Sequence, residues 1–316
     1  DAYPRTLDAD CAQLRDAGLD PQVDVPASTL GYWRIGGPVD LFVEVPTRTQ
    51  LAAVMARKLP VTVIGNGSNL LVADAGIRGI TIRLTGEFKD SHVQTADSNP
   101  QIEVGGGLMN TVLLHRVNQA DLEGLAALAG VPGTVGGAIT MNAGTALGEI
   151  GDRVIAAEVV MPGGDTQRLS PQELAFEYRH ATLPPGAVVS RVWLRLDPKA
   201  DEHATIAHHI QRRKATQPLD QPSCGSVFRN PPGDFAGRLI EAAGLKGTQA
   251  GGAQISPKHA NFIVNNGSAS AADVYALVVL ARQQVAAQFG VLLEPEVHAV
   301  GDWPQGHWPL PNPSGV

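Results

Sequence analysis

The spacing of apolar positions changes repeatedly along the chain, and each change marks a predicted element. Residues 7–18 place apolar side chains on one face of a short helix. Asp40–Val45 alternates as a strand does, and Pro46 ends it. Thr49–Lys58 returns to helical spacing, with Leu51, Val54 and Met55 on one face. Val61–Ile64 reads as a short buried strand, and Leu70–Leu84 as two strands around Ala75-Gly76. Further strands are predicted at 102–104, 154–161 and 188–196, with a helix over 108–119. A charged helix over 202–215, a helix over 235–243 stopped by Gly244, and a long helix over 270–289 follow. Ser270 and Asp273 carry the N-cap signature of that last helix, and Gly290 its stop. Val291–Leu293 is strand-like. Residues 301–316 hold four prolines and two tryptophans without a period, and read as a loose tail. The order of elements predicts an α+β fold, not strict β-α-β alternation.

The most informative segment breaks every period. Residues 130–144, Gly-Val-Pro-Gly-Thr-Val-Gly-Gly-Ala-Ile-Thr-Met-Asn-Ala-Gly, contain five glycines in an otherwise apolar run. Glycines at this density allow close backbone approach or positive φ. Two readings stand: a tight turn between buried strands, or a backbone nest for an anion. A second loop, Gly65-Asn66-Gly67-Ser68-Asn69, follows a predicted strand. It is not a dinucleotide-fold fingerprint, since Leu70 stands where the third glycine belongs and no helix follows. Gly-Lys-Ser/Thr is absent, which excludes a P-loop there. The loop is a polar turn or a second diphosphate cradle.

Composition narrows the class. With 316 residues, 43% hydrophobic and 17% charged, the chain suits more than one globular domain. A net charge of −7 argues against nucleic acid or an anionic membrane as partner. Two distant cysteines, Cys11 and Cys224, suggest a reducing, cytoplasmic setting. No apolar run is long enough to span a bilayer, and the first residues do not read as a signal peptide. The nine histidines show no metal-ligand spacing, so no metal is expected.

Three side chains stand out chemically. Ser226 follows a glycine in Cys224-Gly225-Ser226-Val227-Phe228, without the Gly-x-Ser-x-Gly of a nucleophile elbow. A serine hydroxyl is a weak acid, and suffices only for a strongly basic carbon; otherwise Ser226 is a turn residue. Glu296 follows Pro295, whose ring fixes the backbone; it is a rigidly held carboxylate or a solvated edge charge. Arg179 in Phe176-Glu177-Tyr178-Arg179 is a carboxylate clamp or an ordinary ion-paired arginine.

Together these segments resemble one family in order along nearly the whole chain. The matches are Arg34–Asp40, Gly65–Leu71, Gly130–Gly144, Phe176–Arg179, Gly225–Phe228, Ala236–Glu241, Lys258–Phe262 and Leu293–Val297. The chain resembles the UDP-N-acetylenolpyruvoylglucosamine reductases of bacterial peptidoglycan synthesis, the MurB family.

The resemblance implies an FAD-binding region of the vanillyl-alcohol-oxidase (PCMH) type in two lobes, over 1–200 and split near residue 58. It implies an α+β substrate domain over 201–300, with 301–316 as tail. It implies non-covalent FAD reduced by NADPH, and a small-molecule partner, UDP-N-acetylglucosamine enolpyruvate, handled by a monomer. Hydride passes from flavin N5 to C3 of the enolpyruvyl group, and Ser226 protonates C2. Arg179 and Glu296 stabilise the enolate-like intermediate. Gly65, Asn66, Gly67, Ser68, Asn69, Gly133, Gly136, Gly137, Asn142 and Ala143 would hold FAD. Arg213, Arg229, Lys246 and Lys258 are candidates for the substrate's or the cofactor's phosphates, and Asn230 joins them as a substrate-binding candidate. A bulky residue at Gly136 or Gly137 is then expected to cost FAD binding before folding. Two departures bear on the class. His180-Ala181 offers no serine after Arg179, and the short span to Val188 leaves no room for a tyrosine-bearing closing loop. The chain thus resembles the shorter class. An FAD-dependent carbohydrate oxidase of the same superfamily is the alternative, and a flavin-binding module without turnover another.

Overall fold

The computed structural model describes residues 7–95, 99–199, 202–305, 307 and 310. The chain divides into two compact units. The first comprises residues 1–23, 41–66 and 79–211, and the second residues 24–40, 67–78 and 212–316. Segments 24–40 and 67–78 therefore fold with the C-terminal third, although they lie within the stretch 1–200.

The first unit is built around two cores. A five-stranded antiparallel sheet runs in the order 166–169, 154–160, 188–195, 101–105, 91–94. Ile102, Val104, Ala157, Val192 and Leu194 are fully or almost fully buried there. Helix α3 (Asn110–Gln119) packs Leu113 and Val117 into the same core. The second core gathers Leu41, Val43 and Val45 with Ile80 and Ile82 and with Leu51 and Val54 of helix α2 (Arg48–Met55). Thr47 caps α2, its hydroxyl accepting from the Gln50 amide.

The core of the second unit lies around helix α8 (Ala271–Phe289). Its start is over-determined. Ser270 and Asp273 form a reciprocal capping box, and the Asp74 carboxylate accepts from the amides of Ala271 (2.8 Å) and Ala272 (2.9 Å). Gly290 ends it at φ +66°, a backbone conformation that an L side chain rarely adopts. Helix α7 (Ala236–Ala242) and the strands 253–255 and 263–265 pack against α8 in that core.

The α+β class follows the expectation, and so do most periodic elements. The two strands expected around Ala75-Gly76 are 70–72 and 77–84; the first lies parallel to 298–300 and the second parallel to 61–63. Three readings change. Val291–Leu293 is not a strand; Pro295 forms only an isolated bridge with Phe228. Proline has no N–H with which to extend a ladder. The described part of the tail is packed: His307 stacks on Tyr275 at 4.3 Å, and Trp303 sits against the α8 core. The expectation for 306, 308–309 and 311–316 falls outside the described residues. Finally, residues 130–144 are neither a strand-to-strand turn nor only a loop, because they contain a helix.

Candidate active site

That helix, α4, spans Val135–Thr140. Thr134 caps it through its hydroxyl, which accepts from Gly137 N. Val135, Ala138 and Ile139 face the core, a spacing that the glycines hide in the sequence. The two central glycines differ in what surrounds them. A Cβ on Gly136 would lie 3.0 Å from the Gly106 carbonyl oxygen and 3.3 Å from that of Val189. The Gly136 amide also donates to Gly106 O at 2.8 Å. Gly136 thus lets the helix touch the strand ends beneath it, and packing accounts for its missing side chain. Gly137 is exposed, and a Cβ there would meet only Thr134 Oγ1 at 3.6 Å.

Gly133 turns the chain at φ +101° before the helix, and Asn142 does so at φ +41° after it. Asn142 is 2% exposed with both ends of its amide engaged. Its Nδ2 donates to Glu149 Oε2 (2.7 Å) and Glu177 O (2.9 Å), and its Oδ1 accepts from Gly151 N (2.9 Å). Ala143 is buried beside it. Arg179 comes to the same place. It sits in a tight turn closed by Glu177 and His180, at φ +57°. Its guanidinium donates to Glu149 Oε1 (3.2 Å) and Gly144 O (2.9 Å), and lies over the Tyr178 ring at 4.7 Å. Gly65, in the same unit, takes φ +52°, with Thr134 Oγ1 3.1 Å from where its Cβ would be. Asn66 adjoins it at the end of this segment of the unit.

In the second unit, Gly225 at φ +74° turns the chain into Ser226. Ser226 is half-buried between the buried Cys224 and Val227. The segment is held on two sides. Asn261, 3% exposed, accepts from Phe228 N (3.0 Å) through Oδ1 and donates to Phe228 O (2.8 Å) through Nδ2, while its carbonyl accepts from Val227 N (2.8 Å). On the other side Val227 O accepts from Glu296 N (2.8 Å), and Arg229 N donates to Glu294 O (2.9 Å). Ser226 and Glu296 thus lie on paired backbone segments, 70 positions apart in sequence. Asn69 Nδ2 donates to Glu296 O (3.0 Å), which fixes the polar loop beside the glutamate. Gly67 takes φ +62°, and a Cβ there would lie 2.5 Å from Gly31 Cα.

The candidate cations are individually engaged. Arg213, on helix α6 (Glu202–Thr216), donates through Nε to Gln217, and burial lowers its pKa. Lys246 pairs with Glu241 at 2.8 Å, and Lys258 Nζ donates to Lys214 O at 2.8 Å. Arg229 is half-buried. Asn230 Oδ1 accepts from the first amide of α7, Ala236 N, at 3.1 Å. Burial, then the nearby Lys246 charge, lowers the pKa of His259. Burial also drives the Cys224 thiol up to about 12, which marks it as a packing residue.

In the first unit, the Gly65 N–H meets no protein acceptor among the described residues and lies by Thr134, whose helix carries the open Gly137 face; such a surface suits an anionic phosphate. In the second unit, the Ser68 N–H likewise meets no protein acceptor among the described residues.

Two family profiles match: an FAD binding domain over residues 39–170, and the C-terminal domain of UDP-N-acetylenolpyruvoylglucosamine reductase over 217–300. A UDP-N-acetylenolpyruvoylglucosamine reductase of Symbiobacterium thermophilum is 45% identical over 86% of this chain and 89% of its own. The chain belongs to the UDP-N-acetylenolpyruvoylglucosamine reductase family. A reductase of the same name from an Anaeromyxobacter species is also 45% identical, over 92% of this chain and 89% of its own. The crystal structure of the reductase (MurB) from Thermus caldophilus superposes with a TM-score of 0.77 at 40% identity. It covers 89% of this chain and 99% of that one. One polar residue of the site, Glu149, carries no signal in the sequence, since it stands among loop residues outside the matched motifs, whereas Asn261 lies within the matched Lys258–Phe262 but the motif alone gives it no role.

Proposed function

We propose that the protein is an FAD-dependent, NADPH-consuming UDP-N-acetylmuramate dehydrogenase, reducing the enolpyruvyl ether of UDP-N-acetylglucosamine to the lactyl ether. The observation that carries this reading is membership of the reductase family, shared over 86% of this chain, with Arg179, Ser226 and Glu296 all present. FAD, once reduced by NADPH, supplies the hydride that adds to C3 of the enolpyruvyl group. Gly65–Asn69 and Gly133–Ala143 would hold that group, Gly137 by its open face and Gly136 by letting α4 sit close to its sheet. Hydride addition leaves a strongly basic C2. Ser226 gives C2 its hydroxyl proton, which a weak acid does well only for so basic a carbon. Arg179 meets the negative charge that develops on the enolate and its carboxylate, and a preformed charge there needs no reorganisation during the reaction. Glu296, held by backbone pairing to Val227, is the second group proposed to stabilise the enolate-like intermediate. Arg213, Arg229, Asn230, Lys246 and Lys258 are proposed for the substrate's phosphates and sugar. In this reading the enzyme acts in the cytoplasm as a monomer, without nucleic acid or membrane. The net charge of −7 supports the absence of a nucleic-acid or anionic-membrane partner, and among the described residues no helix is long and apolar enough to cross a membrane.

The test separates the half-reactions of Ser226→Ala. NADPH is expected to bleach the flavin at the wild-type rate, while reoxidation by the enolpyruvyl substrate slows by about 10³-fold or more. Normal reoxidation would remove Ser226 from the mechanism. Rapid reoxidation of wild type by oxygen alone would instead favour the carbohydrate-oxidase reading.

A further inference from the structure

The residue that links the glycine-rich segment to Arg179 is Glu149. A two-residue antiparallel pairing sets Glu149 opposite Gly144. This pairing offers Arg179 two acceptors side by side, the Glu149 carboxylate and the Gly144 carbonyl. The second carboxylate oxygen of Glu149 accepts from the buried Asn142. Both neighbours are conformationally constrained, Asn142 at φ +41° and Arg179 at φ +57°. A guanidinium on a flexible stem loses little by wandering unless something fixes it. Here the fixing group is an anion whose two oxygens are each used once, and whose side chain is 29% exposed against 14% for Arg179. Gly144 is required for the pairing, because a Cβ there would lie 2.9 Å from Glu149 Cα.

We propose that Glu149 is the positioning residue for Arg179, tying its guanidinium to Asn142 and so fixing where its positive charge sits for the reaction. The proposal rests on the reading of Arg179 as the group that stabilises the developing enolate. Glu149 touches neither substrate nor flavin in this scheme; it acts through Arg179. The clamp also ties the geometry of Arg179 to the segment that would carry FAD, since Asn142 belongs to both.

The experiment compares half-reactions in Glu149→Ala, Glu149→Gln and Arg179→Ala holoenzymes. In Glu149→Ala, flavin reduction by NADPH is expected to stay within about twofold of wild type. Reoxidation at saturating enolpyruvyl substrate should fall by about tenfold or more, with KM little changed. Glu149→Gln keeps the shape but offers one acceptor where two are needed, so its rate should lie between the two. Chemical rescue supplies the readout that a merely structural role would not give. Guanidinium ion added to Arg179→Ala should restore part of the reoxidation rate by sitting against Glu149 and Gly144 O. The same ion should restore nothing in Arg179→Ala/Glu149→Ala. Equal rescue in both variants, or reoxidation in Glu149→Ala within twofold of wild type, would overturn the proposal. So would loss of FAD together with both half-reactions in Glu149→Gln. If Arg179→Ala itself reoxidises normally, the reading of Arg179 fails first and the clamp has nothing to serve.

Discussion

At the scale of single residues, surroundings decide what a side chain can do more than its type. His259 lies in the family motif Lys258–Phe262, yet its ring is edge-on to Phe262 at 4.9 Å and its Nδ1 accepts from Asn261 N. Burial, then the Lys246 charge, lowers its pKa below the ordinary imidazole value. A base with a depressed folded pKa favours folding while neutral. As the pH falls through about 6.5 the unfolded chain takes up a proton that the native state refuses, so stability is lost on acidification. Denaturant midpoints at pH 7.5 and 5.5 test this. Wild type is expected to lose more between them than His259→Asn, which keeps an acceptor for Asn261 but does not titrate. An equal loss in both proteins would show that His259 contributes nothing to the pH dependence. Cys224 makes a parallel case. With its thiol pKa near 12 and its side chain buried, it should resist a thiol-labelling reagent at pH 8 until the protein is unfolded. Of the candidate site, residue types alone made Ser226, Arg179 and Glu296 visible. Their roles were legible only through the family motifs, because each type has an ordinary structural use.

Elements were legible where one period ran long enough. Helix α8 could be read with both ends, since Ser270, Asp273 and Gly290 are local signals that the structure uses as such. Strands 253–255 and 263–265 are three residues each, too short for any alternation to register. Helix α4 was hidden for another reason. Its apolar positions have helical spacing, but Gly136 and Gly137 are poor helix formers, so propensity pointed away from the packing that holds it. The two glycines therefore make separable predictions. Gly136→Val should destabilise the protein by about 1–3 kcal/mol, because its side chain meets the carbonyls of Gly106 and Val189. Gly137→Leu should leave the thermal midpoint of the FAD-free protein almost unchanged and weaken FAD binding, measured by flavin fluorescence titration. If Gly137→Leu binds FAD normally, the open face of α4 is only surface. If Gly136→Val is as stable as wild type, α4 can move off its sheet.

At the scale of the whole molecule, the chain's order is not its order of assembly. Spacing along the sequence gave no hint that residues 24–40 and 67–78 fold with residues 212–316, because nothing local records a partner 200 positions away. Trp33 makes the dependence concrete. It is 1% exposed, its Nε1 donates to Ile263 O at 2.7 Å, and its own carbonyl accepts from Asn265 Nδ2 at 2.9 Å. Leu71 is fully buried in the same core, and strand 70–72 supplies the only described ladder partner of 298–300. A fragment of residues 201–316 lacks all three contributions. It would expose the face of 263–265 that Trp33 covers and leave the amides of 298–300 unpaired. It is therefore expected to show no cooperative thermal transition by circular dichroism, despite matching the family's C-terminal profile over 217–300. Within the full chain, Trp33→Phe keeps most of the apolar contact but leaves the buried Ile263 carbonyl without its donor. That change should cost about 1–3 kcal/mol in a denaturant titration. A fragment that folds cooperatively, or a Trp33→Phe protein as stable as wild type, would mean that 212–316 is self-sufficient and the N-terminal insertions only decorate it. The discontinuity has a functional corollary under the proposed mechanism. Asn69 reaches Glu296 from one of these insertions, so the loop carrying Gly67, Ser68 and Asn69 and the segment carrying Ser226 and Glu296 form as one folding unit. Destabilising Trp33 should then reduce reoxidation by the enolpyruvyl substrate at temperatures where α3 and the five-stranded sheet of the first unit are still intact.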